Sequence, residues 1–228
     1  MLITMIKYVG FDKDGTLIDD FDGYTKEWGK IIQADLGINA KDAENVFVKM
    51  AGEPTDRQLA EVLKGHNNNL SQAEIFHKAE EIAEALGRLI QGNLFPEVLS
   101  VLKRLKEEGY FIFVSSGQKE DIVKNDLERT EIIQFIDFFA GIKLDQPDYK
   151  KGKPHFIAAA DYFGVDFEAF ANETVFIGDT LVDIDLPKKV GILSIARAGT
   201  LSKEALLAAG AKFAIANLKN LPQILETL

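Results

Sequence analysis

The chain has 228 residues, a formal net charge of −10 at pH 7, 46% hydrophobic residues and no cysteine. The lack of cysteine excludes disulfides, thiolate metal sites and cysteine nucleophiles. The negative charge argues against nucleic acid as a partner, because nucleic-acid phosphates demand a basic protein face. A small anionic substrate stays compatible with it, since a local cation or lysine can override the global field.

The length allows one or two domains with a substantial core. No apolar run approaches the roughly 20 residues that are needed to cross a bilayer. The start of the chain, residues 1–8, is too short for a signal peptide and merges directly into the first strand. We therefore expect a soluble cytoplasmic protein with no membrane partner, present as a monomer or a homodimer.

The first predicted element is a buried strand over residues 6–11, rich in β-branched and aromatic side chains. Asp12 and Asp14 follow it, and residues two apart share one face of an extended chain. Gly15 then lets the backbone turn without a Cβ clash. Two carboxylates about 4 Å apart repel by roughly 4 kcal/mol at an effective dielectric of about 20. The pattern therefore favours a divalent cation between them, or one protonated aspartate.

The next stretch changes to helical periodicity and contains no predicted strand. Ser71 with Glu74 forms a capping-box pattern, Asn39 is a candidate N-cap, and a polar loop is predicted at residues 66–69. The predicted helices are 24–36, 39–50, 54–63 and 71–90. We interpret residues 19–93 as a separate all-α domain that is inserted after the first strand.

Strands and helices alternate in the remainder of the chain. The predicted strands are 110–114, 138–142, 174–177, 192–195 and 213–215, and the predicted helices are 96–108, 119–129, 153–163, 181–190 and 222–228. This alternation predicts an α/β fold: a three-layer, Rossmann-like core with a parallel sheet and ligand groups gathered at the carboxyl ends of its strands. Residues 1–18 and 94–228 would form this core domain.

The segment Asp12-Lys13-Asp14-Gly15-Thr16 resembles the first motif of the haloacid dehalogenase (HAD) superfamily, a strand followed by Asp-x-Asp-x-Thr. The superfamily comprises phosphoryl-transfer enzymes. The resemblance implies that Asp12 attacks phosphorus and that Asp14 acts as general acid and base. Taken alone, the segment is also compatible with a strand that ends in a capped acidic turn.

Ser115, directly after the second core strand, resembles the Ser or Thr with which this superfamily binds phosphoryl oxygens. A hydroxyl donates a hydrogen bond without adding charge, and the amides of the following residues, including Gly117, can join it. Ser116 is the alternative for this role. We prefer Ser115 because it directly follows the apolar run. A serine that only caps a helix is the other interpretation.

Lys153 resembles the superfamily's third motif, a lysine that neutralises the nucleophile and the transferring phosphoryl group. Pro154 fixes the chain at a helix start, which favours Lys153 as the lysine that is held in place. Lys150 and Lys151 are expected to be solvated, as surface lysines usually are.

Asp179 and Asp183 follow the strand at 174–177 and are four residues apart, so they share one face of a helix's first turn. The segment resembles the superfamily's fourth motif. Crowded carboxylates suit Mg²⁺, a hard ion that combines one or two carboxylates with water and substrate phosphate. The resemblance implies Mg²⁺ as cofactor, with the Asp12 carboxylate, the Asp14 main-chain carbonyl and Asp179 as ligands. Asp183 would support the metal site by contacting these ligands, or would bind the ion through a water molecule.

The resemblance covers nearly the whole chain. It implies Mg²⁺-dependent hydrolysis of a small phosphorylated metabolite, phosphoglycolate-like or a sugar phosphate, through an aspartyl-phosphate intermediate. Residues 19–93 resemble the small all-α cap of phosphoglycolate phosphatase-like members. Lys49, Thr55 and Arg57 are candidates for substrate specificity, although an arginine in an exposed salt bridge is an equal alternative for Arg57.

Other activities in the superfamily fit the sequence less well. Dehalogenases and phosphonatases lack the second aspartate, so Asp14 argues against both. Relatives that are β-phosphoglucomutases tend to carry a cap histidine where this chain has Tyr24, which disfavours a phosphoglucomutase-like phosphotransferase. A non-catalytic binding module with the HAD fold is the alternative from a different functional class.

Overall fold

A computed structural model of the protein describes residues 5–66, 70–143, 145–146 and 148–228. Residues 67–69 of the predicted polar loop and the first four residues of the chain lie outside the described residues. The chain divides into two compact units. The larger unit contains the described residues up to Asp19 and Asn93–Leu228, and the smaller unit is Asp20–Gly92. Each of these boundaries lies one residue from the position expected from the sequence.

The larger unit is built on a parallel sheet. The strands of the described residues are β1 (Tyr8–Phe11), β2 (Ile18–Asp19), β3 (Asn93–Leu94), β4 (Phe111–Lys119), β5 (Phe138–Ile142), β6 (Thr174–Gly178), β7 (Leu193–Arg197) and β8 (Phe213–Ile215). Six of them form one sheet in the order β5-β4-β1-β6-β7-β8, and every neighbouring pair in it is parallel. The predicted α/β fold is confirmed.

Helices cover both faces of this sheet. The α-helices of the described residues are α1 (Phe21–Leu36), α2 (Ala40–Lys49), α3 (Thr55–Leu63), α4 (Gln72–Leu89), α5 (Val98–Glu107), α6 (Glu120–Arg129), α7 (Lys153–Phe163), α8 (Phe167–Asn172), α9 (Val182–Lys188), α10 (Lys203–Ala209) and α11 (Leu221–Leu225). Helices α5, α6 and α11 bury their apolar residues with Val9 and Phe11 of β1. Tyr8 of β1 packs on the opposite face with α7 and α8, and α9 and α10 cover β7 and β8 on that same face. The alternation of strand side chains thus gives three layers.

The position of β1 in the sheet decides which loops meet. It lies between β4 and β6, with Phe11 paired to Val114 on one side and to Ile177 on the other. This parallel register brings the residues that follow Phe11, Val114 and Ile177 side by side. These residues are Asp12, Ser115 and Gly178.

Several short elements, including α8, α10 and the pair β2 and β3, were not predicted from the sequence. Helix α8 has six residues and begins where the Asp166 carboxylate accepts hydrogen bonds from the backbone N–H groups of Glu168 and Ala169. Strands β2 and β3 form an antiparallel pair of two residues each. Segments of this length are too short for their periodicity to be recognised.

The chain is anchored where it returns to the larger unit after β3. The Arg197 guanidinium lies over the Phe95 ring, 3.6 Å from its centroid. It also donates to Glu97 at 2.5 Å, and the same Glu97 oxygen accepts from the backbone N–H of Leu218 at 3.1 Å. These buried contacts fix the start of α5 to the carboxyl end of β7.

The smaller unit is made of α1–α4 around one hydrophobic cluster. Trp28 lies at its centre with no exposed surface, and its indole N–H donates to the carbonyl of Ala43 at 3.1 Å. The predicted caps are confirmed: Asn39 accepts from the first turn of α2, and Ser71 with Glu74 forms a capping box at the start of α4. Among the described residues, no helix combines the length and the apolarity that a membrane crossing requires.

The core of the smaller unit can be tested with Leu59→Ala. Leu59 is fully buried in the same hydrophobic cluster as Trp28, and truncation of a buried leucine costs about 2–5 kcal/mol through lost transfer energy and a cavity. Trp28 is the single tryptophan of the chain, so urea unfolding followed by its fluorescence reports on this unit. Leu89→Ala is the control, because Leu89 is 61% exposed and its loss should change stability by less than about 0.5 kcal/mol. Equal effects of the two substitutions would contradict the packing described.

Candidate active site

Three acidic side chains meet beyond the carboxyl ends of β1 and β6. Asp12 follows β1, Asp179 follows β6, and Asp183 lies in the first turn of α9. One carboxylate oxygen of each lies within 4.8 Å of the others, and all three residues are buried. The structure thus brings together the three aspartates from the first and fourth sequence motifs. Such a cluster can hold a divalent metal ion.

Burial and mutual repulsion disturb the proton affinity of these carboxyls. Burial raises the pKa of Asp12 well above its ordinary value; Lys151 opposes this rise, while Asp183, Asp179 and Asp14 add to it. Burial, and next the charge of Asp183, raise the pKa of Asp179 to about 7, against the hydroxyls of Thr200 and Thr16 that lower it. The cluster therefore carries more negative charge than its own surroundings offset. A cation at this position would relieve that excess.

Two hydroxyl groups orient Asp179. Thr16 donates to its Oδ1 at 2.8 Å, and Thr200 donates to its Oδ2. Gly15 makes the close approach of the first turn to Asp179 possible, because it has φ +73° and a Cβ there would lie 2.3 Å from Asp179 Oδ2. Thr16 belongs to the first motif, but Thr200 follows β7 in a loop where the sequence carries no signal of this contact.

The lysine at the cluster is Lys151. Its Nζ lies 2.7 Å from Asp12 Oδ1 and 2.7 Å from Asp183 Oδ1, and its side chain is only 14% exposed. Burial alone lowers the pKa of Lys151, but the charges of Asp12 and Asp183 outweigh this and raise it above the ordinary value. The predictions that Lys153 contacts the nucleophile and that Lys151 is solvated are therefore wrong. Lys153 is the exposed first residue of α7.

Gly152 explains why the two lysines diverge. It stands between them at φ +110°, a conformation that favours glycine, and it ends the loop just before α7. Pro154 fixes the helix start as predicted. The helix start, however, leaves Lys153 exposed, while the residue on the other side of the glycine turn faces Asp12.

The two serines of β4 point in opposite directions. Ser115 Oγ lies 2.9 Å from His155 Nδ1, in the layer formed by α7. Ser116 Oγ lies on the side of Asp14, 3.5 Å from its Oδ2. Both are fully buried. Because β4 continues past Val114, its alternation separates the two serines. Ser115 follows the residue that pairs with Phe11 and is engaged by His155, whereas Ser116 faces Asp14. The choice between them for phosphoryl binding stays a prediction.

His155 is a buried residue that sequence reasoning did not assign. Burial and the nearby charge of Lys151 lower its pKa to about 3. It is thus neutral at physiological pH and links α7 to β4 through Ser115. Its ring also packs against Tyr149, with 4.9 Å between the ring centroids. These contacts stabilise the segment that carries Lys151.

The Asp14 carboxylate is held apart from the three-aspartate cluster. Lys13 Nζ lies 2.5 Å from Asp14 Oδ1 and 2.6 Å from Asp126 Oδ2. Asp126 belongs to α6, which is distant in the sequence, so no local pattern indicates this contact. The predicted role of the Asp14 main-chain carbonyl as a metal ligand stays a prediction.

The remaining predicted residues have been located, but their roles stay predictions. Gly117 is an exposed residue of β4. In the smaller unit, Arg57 is exposed and pairs with Glu53 at 3.0 Å. Lys49 ends α2, and Thr55 begins α3.

Comparisons with known proteins show which family the chain resembles. The sequence model of a family described as haloacid dehalogenase-like hydrolase matches residues 6–191. "Phosphoglycolate phosphatase" of Aquifex aeolicus is 26% identical over 187 residues, which cover 82% of each chain. "Putative pyrophosphatase PpaX" of Clostridium perfringens is 26% identical over 196 residues, or 82% of this chain and 81% of that protein. A crystal structure titled as a predicted phosphatase from Clostridium acetobutylicum superposes with a TM-score of 0.80 at 21% identity, covering 98% of this chain and all of that one (100%). This last likeness concerns the fold.

The raised carboxyl pKa values predict an unusual dependence of stability on pH. Asp179 has a pKa of about 7 in the folded protein, against an ordinary value of 3.8. Between these values the folded state binds more protons than the unfolded chain, so this group makes stability fall as pH rises. A divalent cation should reverse that loss. We expect Mg²⁺ to raise the thermal midpoint by several degrees near pH 8 and by much less near pH 5, where protons compete for the same oxygens.

Thermal unfolding in EDTA and in MgCl₂ at both pH values checks this expectation. Asp179→Asn should flatten the pH dependence measured in EDTA and remove most of the Mg²⁺ effect. A shift in the midpoint that is the same at both pH values, or one that Asp179→Asn retains, would show that the ion binds elsewhere.

Proposed function

Because the chain belongs to the haloacid dehalogenase-like hydrolases and is a phosphatase of that family, we propose that it hydrolyses a small phosphomonoester with Mg²⁺ and that Asp12 carries the phosphoryl group between two half-reactions. One observation above all supports this proposal. The Asp12 carboxylate lies buried at the end of the central strand, 2.7 Å from the Lys151 ammonium and within 4.8 Å of two further carboxylates.

In the proposed first half-reaction, an oxygen of Asp12 attacks phosphorus. The bond between phosphorus and the ester oxygen breaks, and its electron pair stays on the leaving oxygen. The Asp14 carboxyl gives that oxygen its proton, so the alcohol leaves neutral and Asp14 becomes a carboxylate. Covalent catalysis divides one difficult displacement into two easier ones.

In the second half-reaction, water attacks the same phosphorus from the side that the alcohol has left. Asp14 takes the proton of the water, and the bond between phosphorus and the Asp12 oxygen breaks. Inorganic phosphate leaves, Asp12 is again a carboxylate and Asp14 is again protonated. The two residues thus return to their starting states without any further reactant.

Two groups of the chain offer charge and hydrogen bonds to the phosphoryl oxygens. Lys151 is fixed between Asp12 and Asp183, so its ammonium neither rotates away nor needs to be ordered when substrate arrives. The Ser116 hydroxyl lies on the Asp14 side of β4. We assign phosphoryl binding to these two groups, with Gly117 as a candidate backbone donor.

The donor set fits a hard divalent ion, since it consists of buried carboxylates whose negative charge Lys151 offsets only in part. We propose that Asp12, Asp179 and the Asp14 main-chain carbonyl hold it. When bound, Mg²⁺ supplies charge that neutralises these carboxylates and polarises phosphoryl oxygens. Asp183 is already engaged: its Oδ2 accepts from the backbone N–H and the hydroxyl of Thr180, and its Oδ1 faces Lys151. Its proposed task is to orient Lys151 beside the ion.

The proposed substrates are small phosphorylated metabolites, first of all phosphoglycolate-like compounds and sugar phosphates. We propose that Asp20–Gly92 acts as the cap domain of this enzyme, and that Lys49, Thr55 and Arg57 are candidates for selecting the substrate. A screen of phosphorylated metabolites, with pyrophosphate included because one relative is named for it, would identify the compound.

Asp12→Asn tests the reaction itself. The amide keeps the size of the side chain but is not a nucleophile, so turnover of p-nitrophenyl phosphate should fall at least about a thousandfold. Turnover by the unaltered chain should require Mg²⁺ and stop in EDTA. Acid-quenched enzyme should carry one phosphate on Asp12 when analysed by mass spectrometry.

Asp185→Asn is the matched control, because Asp185 is an exposed residue of α9 that pairs with Lys189. It should leave turnover unchanged. Full turnover by Asp12→Asn would refute the mechanism. Bisphosphate-dependent isomerisation of a sugar phosphate with little free phosphate would indicate a mutase instead, and the absence of any turnover in the screen would indicate a binding module.

A pair of lysine substitutions tests the assignment of Lys151. Lys151→Met should lower kcat about 100-fold or more, because it removes a fixed positive charge from the reacting groups. Lys153→Met should stay within a few-fold of the unaltered enzyme, since that side chain is exposed. Circular dichroism would verify that both variants fold. A large loss in Lys153→Met, or its absence in Lys151→Met, would reverse the assignment.

A further inference from the structure

Lys13 is a lysine with no exposed surface, and it ranks among the largest fully buried side chains of the protein. Lysine is almost never fully buried unless it is paired, because burial strips water from the ammonium. Lys13 meets this requirement with two carboxylates, Asp14 Oδ1 at 2.5 Å and Asp126 Oδ2 at 2.6 Å. One of these belongs to the first motif, and the other belongs to α6.

We propose that Lys13 and Asp126 are positioning residues that fix the orientation of the Asp14 carboxyl for its proton transfers. The inference rests on the proposed function, in which Asp14 gives a proton to the leaving oxygen and takes one from water. Neither Lys13 nor Asp126 would touch the substrate. Both would act on the reaction through Asp14 alone.

The anchor of this arrangement is Asp126. It lies within α6, and its side chain is 13% exposed. Its second oxygen, Oδ1, accepts from Arg129 at 3.0 Å, so both oxygens are engaged. A carboxylate that is held on a regular helix is a firm point of attachment. Asp14, in contrast, lies in the turn between β1 and β2, where the backbone alone does not fix a side-chain rotamer.

Lys13 divides the two oxygens of Asp14 between different tasks. Oδ1 receives the ammonium, and Oδ2 faces the Ser116 hydroxyl at 3.5 Å. An ammonium can donate to Oδ1 both when the carboxyl is ionised and when it carries a proton on Oδ2, although the bond to the ionised form is stronger. The contact can therefore persist through the whole reaction. Oδ2, which lies on the side of the phosphoryl-binding serine, becomes the oxygen that exchanges the proton.

The test compares two esters that differ only in how much their leaving group needs a proton. Phenyl phosphate releases a poor leaving group, and p-nitrophenyl phosphate releases a good one of nearly the same shape. The kinetic constant kcat/KM reports only the steps up to and including phosphoryl transfer to the enzyme. In Lys13→Met, kcat/KM for phenyl phosphate should fall at least about tenfold more than for p-nitrophenyl phosphate, because a misplaced general acid harms the poor leaving group most.

Lys106→Met is the matched control, because it also breaks a lysine–aspartate pair in the larger unit, that of Lys106 with Asp137 at 2.6 Å. It should leave the ratio between the two esters unchanged. Asp126→Asn leaves residue 13 as lysine but removes the negative charge that anchors it. It should change the ratio of kcat/KM between the two esters in the same direction as Lys13→Met. If Lys13→Met does not fold, the Asp126→Asn ratio decides alone.

Equal losses on both esters, or unchanged kinetics in a folded variant, would overturn the positioning role. Such results would leave the proposed function intact. If the unaltered enzyme hydrolyses neither ester and no other compound in the metabolite screen, the proposed function fails instead. The two failures are therefore distinguishable.

Discussion

The site depends on the placement of like charges in a buried volume. Three carboxylates converge because β1 pairs with β6 in a register that ends these two strands at nearly the same level, and α9 begins just beyond β6. Left alone, they would repel one another or take up protons, as the raised pKa of Asp179 shows. Lys151 offsets part of this charge from within the chain. The surrounding sheet therefore holds the carboxylates in an arrangement that is unfavourable by itself. Lys151 relieves part of the repulsion, and a bound cation would relieve the rest.

The positions of the aspartates could be predicted because they depend only on where two apolar strands end. A short apolar run followed by Asp12, and another followed by Asp179, must place both residues at the carboxyl edge of a parallel sheet. The helical spacing then places Asp183 beside them. The orientation of residues that lie beyond an uncertain strand boundary could not be predicted. The expected end of the second core strand at residue 114 hid the fact that β4 continues to Lys119, and with it the alternation that separates Ser115 from Ser116.

Lysines near the third motif show the same difficulty in a loop. The segment 150–154 contains three lysines, Lys150, Lys151 and Lys153. Its one recognisable structural signal is Pro154, which marks a helix start. The backbone turn at Gly152 decides which lysine faces inward. Contacts between distant segments were beyond prediction altogether: Thr200 with Asp179 and Lys13 with Asp126 have no local pattern. Both support groups that the motifs did reveal.

The short pairing of β2 with β3 has a consequence for the variability of such proteins. The chain leaves the larger unit through one of these strands and returns through the other, so both ends of an insertion of 73 residues, Asp20–Gly92, are fixed side by side. The entropy lost when such an insertion is closed grows only with the logarithm of its length, by about 0.6 kcal/mol for each doubling. The sheet is therefore almost indifferent to the size of what is inserted there. Selection can exchange, shorten or enlarge the helical segment while the register that gathers the aspartates stays unchanged.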